Sequence, residues 1–224
     1  MIMAMFSRVR TLLVGQVNVI KGNEIKEFYK GYAIAIVEDA YPVNPREDYS
    51  PLGLLVLREG GDKVKFSKGS SMEELVSNVQ EELGPMVYLG VKRYSHSGDY
   101  FKAYDLEEQP DYPWNCPWDS GWAGIIAASK ENIRKDYSCK RISSNLLERV
   151  KKLLKAEVEI YSSYVNGDCF GCVIYDSTGE VIDATFGYYG PDVEFALKNA
   201  REHIDWLLEE KSSGEQLSLG LVNE

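Results

Sequence analysis

The chain has 224 residues, 44% of them hydrophobic and 27% charged, the balance of an ordinary globular protein. Its 25 Lys and Arg against 35 Asp and Glu leave a net charge of −10, a sign that opposes attraction to nucleic acid, which needs clustered cations. No apolar run approaches the ~20 residues that span a bilayer, no signal-peptide pattern opens the chain, and four cysteines in a chain this long do not make a secreted disulfide scaffold. A cytoplasmic protein with neither direct nucleic-acid binding nor a membrane partner is expected.

Residues 1–30 carry no assignable period and are treated as an N-terminal extension. Tyr32–Asp39 (YAIAIVED) reads as a β-branched strand, followed by a proline-rich loop and a second strand over LLVLRE, residues 54–59. Asp62–Gly69 reads as a polar connection. Ser71 and Glu74 have capping-box spacing, so a helix is expected to run to Leu83 with Leu75, Val76 and Val79 inward, stopped by Gly84-Pro85. MVYLGVKRY, the turn SHSGD and YFKAYDL predict a hairpin. A long loop, EEQPDYPWNCPWDSG, leads to a buried strand over Trp122–Ala128, after which Ser129 caps a short helix to about Tyr137.

Asn145–Tyr164 places Leu147, Val150, Leu154, Val158 and Tyr161 on one helical stripe, and NGD ends it. CFGCVIYD and EVIDATFGYY flank Ser177-Thr178-Gly179 as a second hairpin, and a last helix is expected from Pro191 to about Glu210. Helices and hairpins in mixed order argue α+β: an antiparallel sheet built from hairpins with three to four packed helices. A single domain over 31–210 and a flexible tail over 211–224 complete the expectation.

The loop Trp114–Gly124, WNCPWDSGWAG, crowds three tryptophans with Cys116, Asp119 and Ser120. Asp119 is a candidate hydrogen-bond acceptor or general base, and Cys116 or Ser120 a candidate nucleophile. Alternatively, Asp119 and Ser120 tie the loop's own backbone while the tryptophans anchor it. His96, at the expected hairpin tip, suits proton transfer near neutral pH, and with Asp119 and Cys116 or Ser120 it makes a nucleophile–base set if the loops meet; otherwise it is a solvated turn residue. His203 reads as a packed or boundary residue of the final helix. Asn44 and Arg46, in VNPRED, offer a guanidinium fork for a carboxylate or phosphate, or simply a turn. Cys169 and Cys172 fall on a strand, where residues three apart point to opposite faces, a poor geometry for one metal. With no phosphate-binding loop, dinucleotide fingerprint or metal-binding motif, no cofactor and no metal are expected.

CPWDSGWAGIIAASKENIRKDY resembles a family of uncharacterised bacteriophage and plasmid proteins marked by a Cys-Pro-Trp-Asp-Ser-Gly loop, a glycine three residues later, and a helix rich in Lys, Glu and Arg. The likeness extends to EDAYPVNPRED, YSHSG and LLKAEVEIYSSYVNGDCFGCVIYD, covering about Gly31 to Leu207. Trp122-Ala123 stand where that family most often has Gln-Val. The resemblance implies a mobile-element origin and a host bacterial cytoplasm, and carries no particular reaction. Its motifs include Asn44, Arg46, His96, Asp119 and Ser120.

In the tail, Gln216-Leu217-Ser218-Leu219-Gly220-Leu221 resembles the hexapeptide by which bacterial replication and repair proteins bind the DNA polymerase sliding clamp. Gln216 would be the polar anchor and Leu217, Leu219 and Leu221 the apolar insertions, with Lys211–Glu215 as a flexible tether. Alternating leucines equally suit an arm packed on the parent domain. Three functions follow as expectations. The first is a mobile-element accessory protein that docks on the host clamp and modulates replication or host defence. The second is a small hydrolase or transferase using His96, Asp119 and Cys116 or Ser120. The third is an acidic DNA mimic that counters host defence.

Overall fold

The computed structural model describes residues 19–20, 23–48, 50–58, 61–62 and 71–220; the expectations for residues 1–18, for most of Asp62–Gly69 and for Leu221 lie outside them. In chain order the elements are strands β1 (Val19–Ile20), β2 (Asn23–Tyr29) and β3 (Tyr32–Glu38), a single turn of helix α1 (Pro45–Asp48), β4 (Leu54–Leu57), α2 (Met72–Leu83), β5 (Met86–Ser95) and β6 (Asp99–Tyr104). They continue with β7 (Ser120–Ser129), α3 (Lys130–Asp136), α4 (Ser144–Asn166), β8 (Cys169–Tyr175), β9 (Val181–Tyr189) and α5 (Glu194–Gly220). The protein is α+β with antiparallel pairing throughout.

The strands form two antiparallel sheets, ordered β1-β2-β3-β8-β9 and β4-β7-β5-β6. The chain accordingly divides into two compact units, Met1–Pro42 with Cys169–Glu224, and Val43–Asp168. Residues 31–210 are distributed over both.

In the first unit, β2 and β3 are joined by Lys30 and Gly31 with φ of 48° and 88°, the two left-handed residues of a type I′ turn. The next pairing, β3 with β8, joins the unit's two chain segments, Ala33 opposite Tyr175 and Glu38 opposite Phe170. On one face of the sheet Ile34, Cys172 and Ile174 pack with Ala196, Ala200 and Ile204 of α5. That helix begins three residues after the point expected. Pro191 lies in a bend, and the Asp192 carboxylate accepts from the Glu194 amide (2.9 Å), closing a turn just ahead of the first helical residue. The helix then runs on past Glu210 to Gly220, through the segment expected to be a flexible tether.

The second unit carries helices on both faces of its sheet. On one, Val150, Leu154 and Val158 of α4 pack on Leu55, Leu57, Leu89, Val91 and Ile126; on the other, Leu75 and Val79 of α2 meet Val56, Ile125 and Ala127. Each fully buried aliphatic side chain contributes about 1.5–3 kcal/mol relative to exposure. The capping box on α2 forms as its spacing dictates: the Glu74 amide donates to Ser71 Oγ (3.2 Å) and the Ser71 amide to Glu74 Oε2 (3.1 Å). Helix α4 is closed by Gly167 in the left-handed conformation (φ 74°). The β4–β7 approach depends on Gly124, where a Cβ would lie 1.9 Å from the Val56 carbonyl oxygen.

Candidate functional site

The site is built on the β5–β6 hairpin and the loop between β6 and β7. The hairpin tip is held from the side by α4. Asn166 Nδ2 donates to the Asp99 carbonyl (2.9 Å) while its Oδ1 accepts from the Asp99 amide (3.0 Å). At the same tip Ser95 Oγ (2.8 Å) and Arg93 Nε (2.7 Å) both donate to Asp99 Oδ1, and these two partners hold that carboxyl below its ordinary range. His96 therefore sits on a fixed turn, its ring stacked at 6.1 Å on Tyr94.

The long loop closes on itself through backbone bonds from Cys116 N to Pro113 O (3.0 Å) and from Ser120 N to Cys116 O (3.1 Å). The Ser95 amide donates to the Asp119 carbonyl (2.8 Å), which pins the loop to the hairpin tip. Two of the three tryptophans anchor it. Trp114 packs against Tyr94 and Tyr104 and its carbonyl accepts from Lys92 Nζ (2.7 Å), while Trp122 lies over Gly90, where a Cβ would fall 2.4 Å from the ring. Trp118 does the opposite and stands 90% exposed.

The three candidate groups His96, Cys116 and Asp119 come together. Asp119 Oδ2 is 3.7 Å from His96 Nδ1 and 3.7 Å from Cys116 Sγ, whose thiol donates to it. Among the described residues no hydrogen bond engages the imidazole Nε2, the nitrogen on the far side of the ring from Asp119. The Tyr94 phenol beside this group is pushed above its ordinary range by desolvation and then by the negative charges of Tyr112, Asp119 and Cys116. Ser120 does not join them: its hydroxyl donates to the Pro113 carbonyl (2.7 Å) and ties the loop, the alternative the sequence had offered for it. Asp119 also lines a cleft of about 420 Å³, together with Arg58, Arg93, Phe101, Trp118 and Trp122.

Comparison with protein-family models, curated proteins and solved structures finds no match for this chain.

Asn44 and Arg46 stand apart from that site. Asn44 Oδ1 accepts from the Arg46 amide (3.0 Å), a local turn. The Arg46 side chain, 3% exposed, is committed in every direction: Nε (2.9 Å) and Nη2 (2.7 Å) to Asp62, Nη1 to Glu157 (2.9 Å), and Nη2 to the Gly53 carbonyl. Burial works against its charge, and the bonds to Asp62 and Glu157 more than offset that, so its pKa lies above the usual value. Asp62 also accepts from the Leu55 amide (2.8 Å) and Glu157 from the Leu52 amide (2.9 Å). The fork thus fastens α1 and the start of β4 to α4 and has no donor turned to a ligand. No local spacing marks Asp62 or Glu157 as its partners, because only the fold brings them near.

Cys169 and Cys172 are both buried on β8, and burial, with the nearby Asp183 charge, pushes the Cys172 thiol up to about 11. Among the described residues no three His, Cys, Asp or Glu side chains cluster as a metal site, and no helix is long and apolar enough to cross a membrane. His203 stacks on Trp206 at 5.6 Å, as a boundary residue of α5. Of the tail motif, residues 216–220 belong to α5.

Proposed function

We propose that the Val43–Asp168 unit is a small hydrolase or transferase in which Asp119 orients His96 as general base at the mouth of the cleft. The observation that carries this reading is the double role of Asp119, which lines the cleft and faces both His96 and Cys116 through one oxygen. A carboxylate facing Nδ1 at 3.7 Å favours by charge the imidazolium that forms when Nε2 takes a proton. In the hydrolytic form Nε2 accepts a proton from water and the hydroxide oxygen bonds to the electrophilic centre. The ester bond then breaks, and the leaving oxygen recovers that proton from the imidazolium. In the transfer form a substrate hydroxyl replaces water.

The test is turnover of p-nitrophenyl acetate, p-nitrophenyl phosphate and bis(p-nitrophenyl) phosphate by the full chain and by H96A. Loss of about 100-fold or more in H96A is expected for a general base. Equal rates in the two proteins, including no turnover by either, sink the proposal.

The tail supports a second, separate proposal, that the protein is a mobile-element accessory factor docking on the bacterial sliding clamp. It rests on Gln216-Leu217-Ser218-Leu219-Gly220-Leu221, which meets the clamp hexapeptide at each specified position. Binding as an extended peptide requires the last turns of α5 to open, so ordering costs reduce the affinity. Co-elution of the protein with purified clamp, abolished by Q216A with L219A, is the expected result; no complex with the intact protein removes this reading.

A further inference from the structure

In the first unit a small cavity of about 100 Å³ opens between β8, β9 and α5. Its floor is apolar and buried, formed by Ile174 of β8 with Ala196 and Ala200 of α5. Asp183 and Thr185 of β9 stand in register with Ile174 and Cys172, so alternation along the strand turns both to this side of the sheet. Helix α5 brings Asn199 and His203 to it one turn apart.

Polar capacity converges there unused. Asp183 Oδ2 accepts from the Thr185 hydroxyl (3.3 Å), and among the described residues its Oδ1 has no hydrogen bond or ion pair. The same charge reaches the Cys172 thiol, raised first by burial and then by Asp183, so the carboxylate lies close to the cavity floor. Asn199 Nδ2 donates to the Tyr188 phenol oxygen (3.4 Å), which leaves the amide's own oxygen as an acceptor. Neither ring nitrogen of His203 has a hydrogen bond among the described residues. The cations on this stretch of α5 are engaged elsewhere, Lys198 with Glu202 (3.7 Å) and Arg201 with Glu27 (2.9 Å) and Glu194. The lining thus holds one negative charge, several acceptors and no lysine or arginine. Aromatic rings form its rim: Tyr188 meets Phe195, His203 stacks on Trp206, and both Phe195 and Trp206 are more than half exposed.

We infer that this cavity binds a primary alkylammonium group, with Asp183 as its counter-ion and Asn199 Oδ1 and Tyr188 Oη as further acceptors. The alkyl chain leaves toward the aromatic rim. An ammonium brings three donors and a positive charge to a site that offers acceptors and a carboxylate. Tyr188 adds the attraction of a ring for a cation, and the net charge of −10 draws cations toward the molecule. The volume exceeds what one water needs and suits an ammonium with its first carbons. An anion would meet Asp183 with no cation beside it. A metal ion would find no group of three His, Cys, Asp or Glu ligands among the described residues. The inference is independent of the proposed hydrolase or transferase site, which belongs to the other unit.

Titration of the isotope-labelled full chain with n-butylamine, n-butanol and a lysine capped at both ends, followed by backbone amide shifts in NMR, decides it. Butylamine, protonated at neutral pH, is expected to shift the amides of Asp183, Asn199 and His203 and to bind at least about tenfold tighter than butanol. D183N, isosteric but uncharged at a half-buried position, is expected to weaken butylamine about tenfold or more and to leave butanol unchanged. N199L keeps the carboxylate but fills the cavity and removes an acceptor, so it is expected to weaken both ligands and tests the site even where D183N does not fold. Capped lysine binding more tightly than butylamine upholds the site and assigns the group to a lysine side chain of a partner; weaker binding upholds it for a free amine. Butanol matching butylamine, undiminished binding by D183N or N199L, or no saturable shift at these amides with either amine overturns the inference.

Discussion

Asp119 Oδ2 lies 3.7 Å from His96 Nδ1, joining the tip of one hairpin to the loop that follows it. Neither group is deeply buried, at 37% exposure for the carboxylate and 70% for the imidazole, so the pair does little for stability and is poised for solvent-borne substrates. D119N keeps the shape but removes the charge that orients the ring. We expect turnover to fall by about 10–100-fold, while the unfolding free energy measured in urea changes by no more than about 0.5 kcal/mol. A variant that unfolds more readily and turns over normally would assign Asp119 to architecture.

Arg46 behaves in the opposite way. With its side chain 3% exposed between Asp62 and Glu157, its removal strands two partly buried carboxylates. R46A is expected to cost about 3–5 kcal/mol in urea unfolding, and R46K, which cannot reproduce the fork, to recover only part of that loss. Catalytic turnover per folded molecule should be unchanged in R46K, because the latch lies apart from His96 and Asp119. An R46A protein as stable as the unaltered chain would remove the buried ion-pair account.

Local signals were legible in the sequence, and distant partners were not. Ser71 with Glu74, the SHSGD turn and the stripe from Val150 to Tyr161 are each settled within a few residues, and each forms as read. Strand β2 escaped because its register shifts between Ile25 and Glu27, which breaks the alternation that marks a strand. The β3–β8 pairing, Ala33 with Tyr175, is a contact no local period can announce. Arg46 left a ligand-binding fork and a simple turn both open in the sequence, because its partner Glu157 is 111 positions away in the chain. The His96–Asp119 pair was legible as residue types, and only the fold showed that they meet and that Ser120 turns aside.

The two glycines of β7 differ in what a side chain there would meet. G124A places a Cβ 1.9 Å from the Val56 carbonyl oxygen, and backbone cannot yield to it, so β4 must part from β7. We expect a loss of about 3 kcal/mol or more and poor recovery of folded protein. G121A meets nothing within 4 Å, and removing a glycine from a strand relieves the unfolded chain of entropy, so its stability should be unchanged or up by up to about 1 kcal/mol. Equal thermal midpoints for the two variants would refute this assignment.

Cys172 gives the first unit a pH signature. Its thiol is pushed up to about 11 by burial and then by the Asp183 charge, against an unfolded value near ~8.5. The folded chain therefore holds this proton where the unfolded chain has lost it. The stabilisation is fully present below pH ~8.5 and is lost as pH rises through about 11, on the order of 3 kcal/mol in all. Substitution to alanine removes the titrating group, so C172A should lose less stability than the unaltered chain between pH 8 and pH 10.5, whatever its starting value. The same burial predicts that, at pH 8, iodoacetamide labels the half-buried Cys116 and Cys139 long before the buried Cys169 and Cys172. Parallel stability curves for C172A and its parent, or early labelling of Cys172 in the folded protein, would contradict this account of β8.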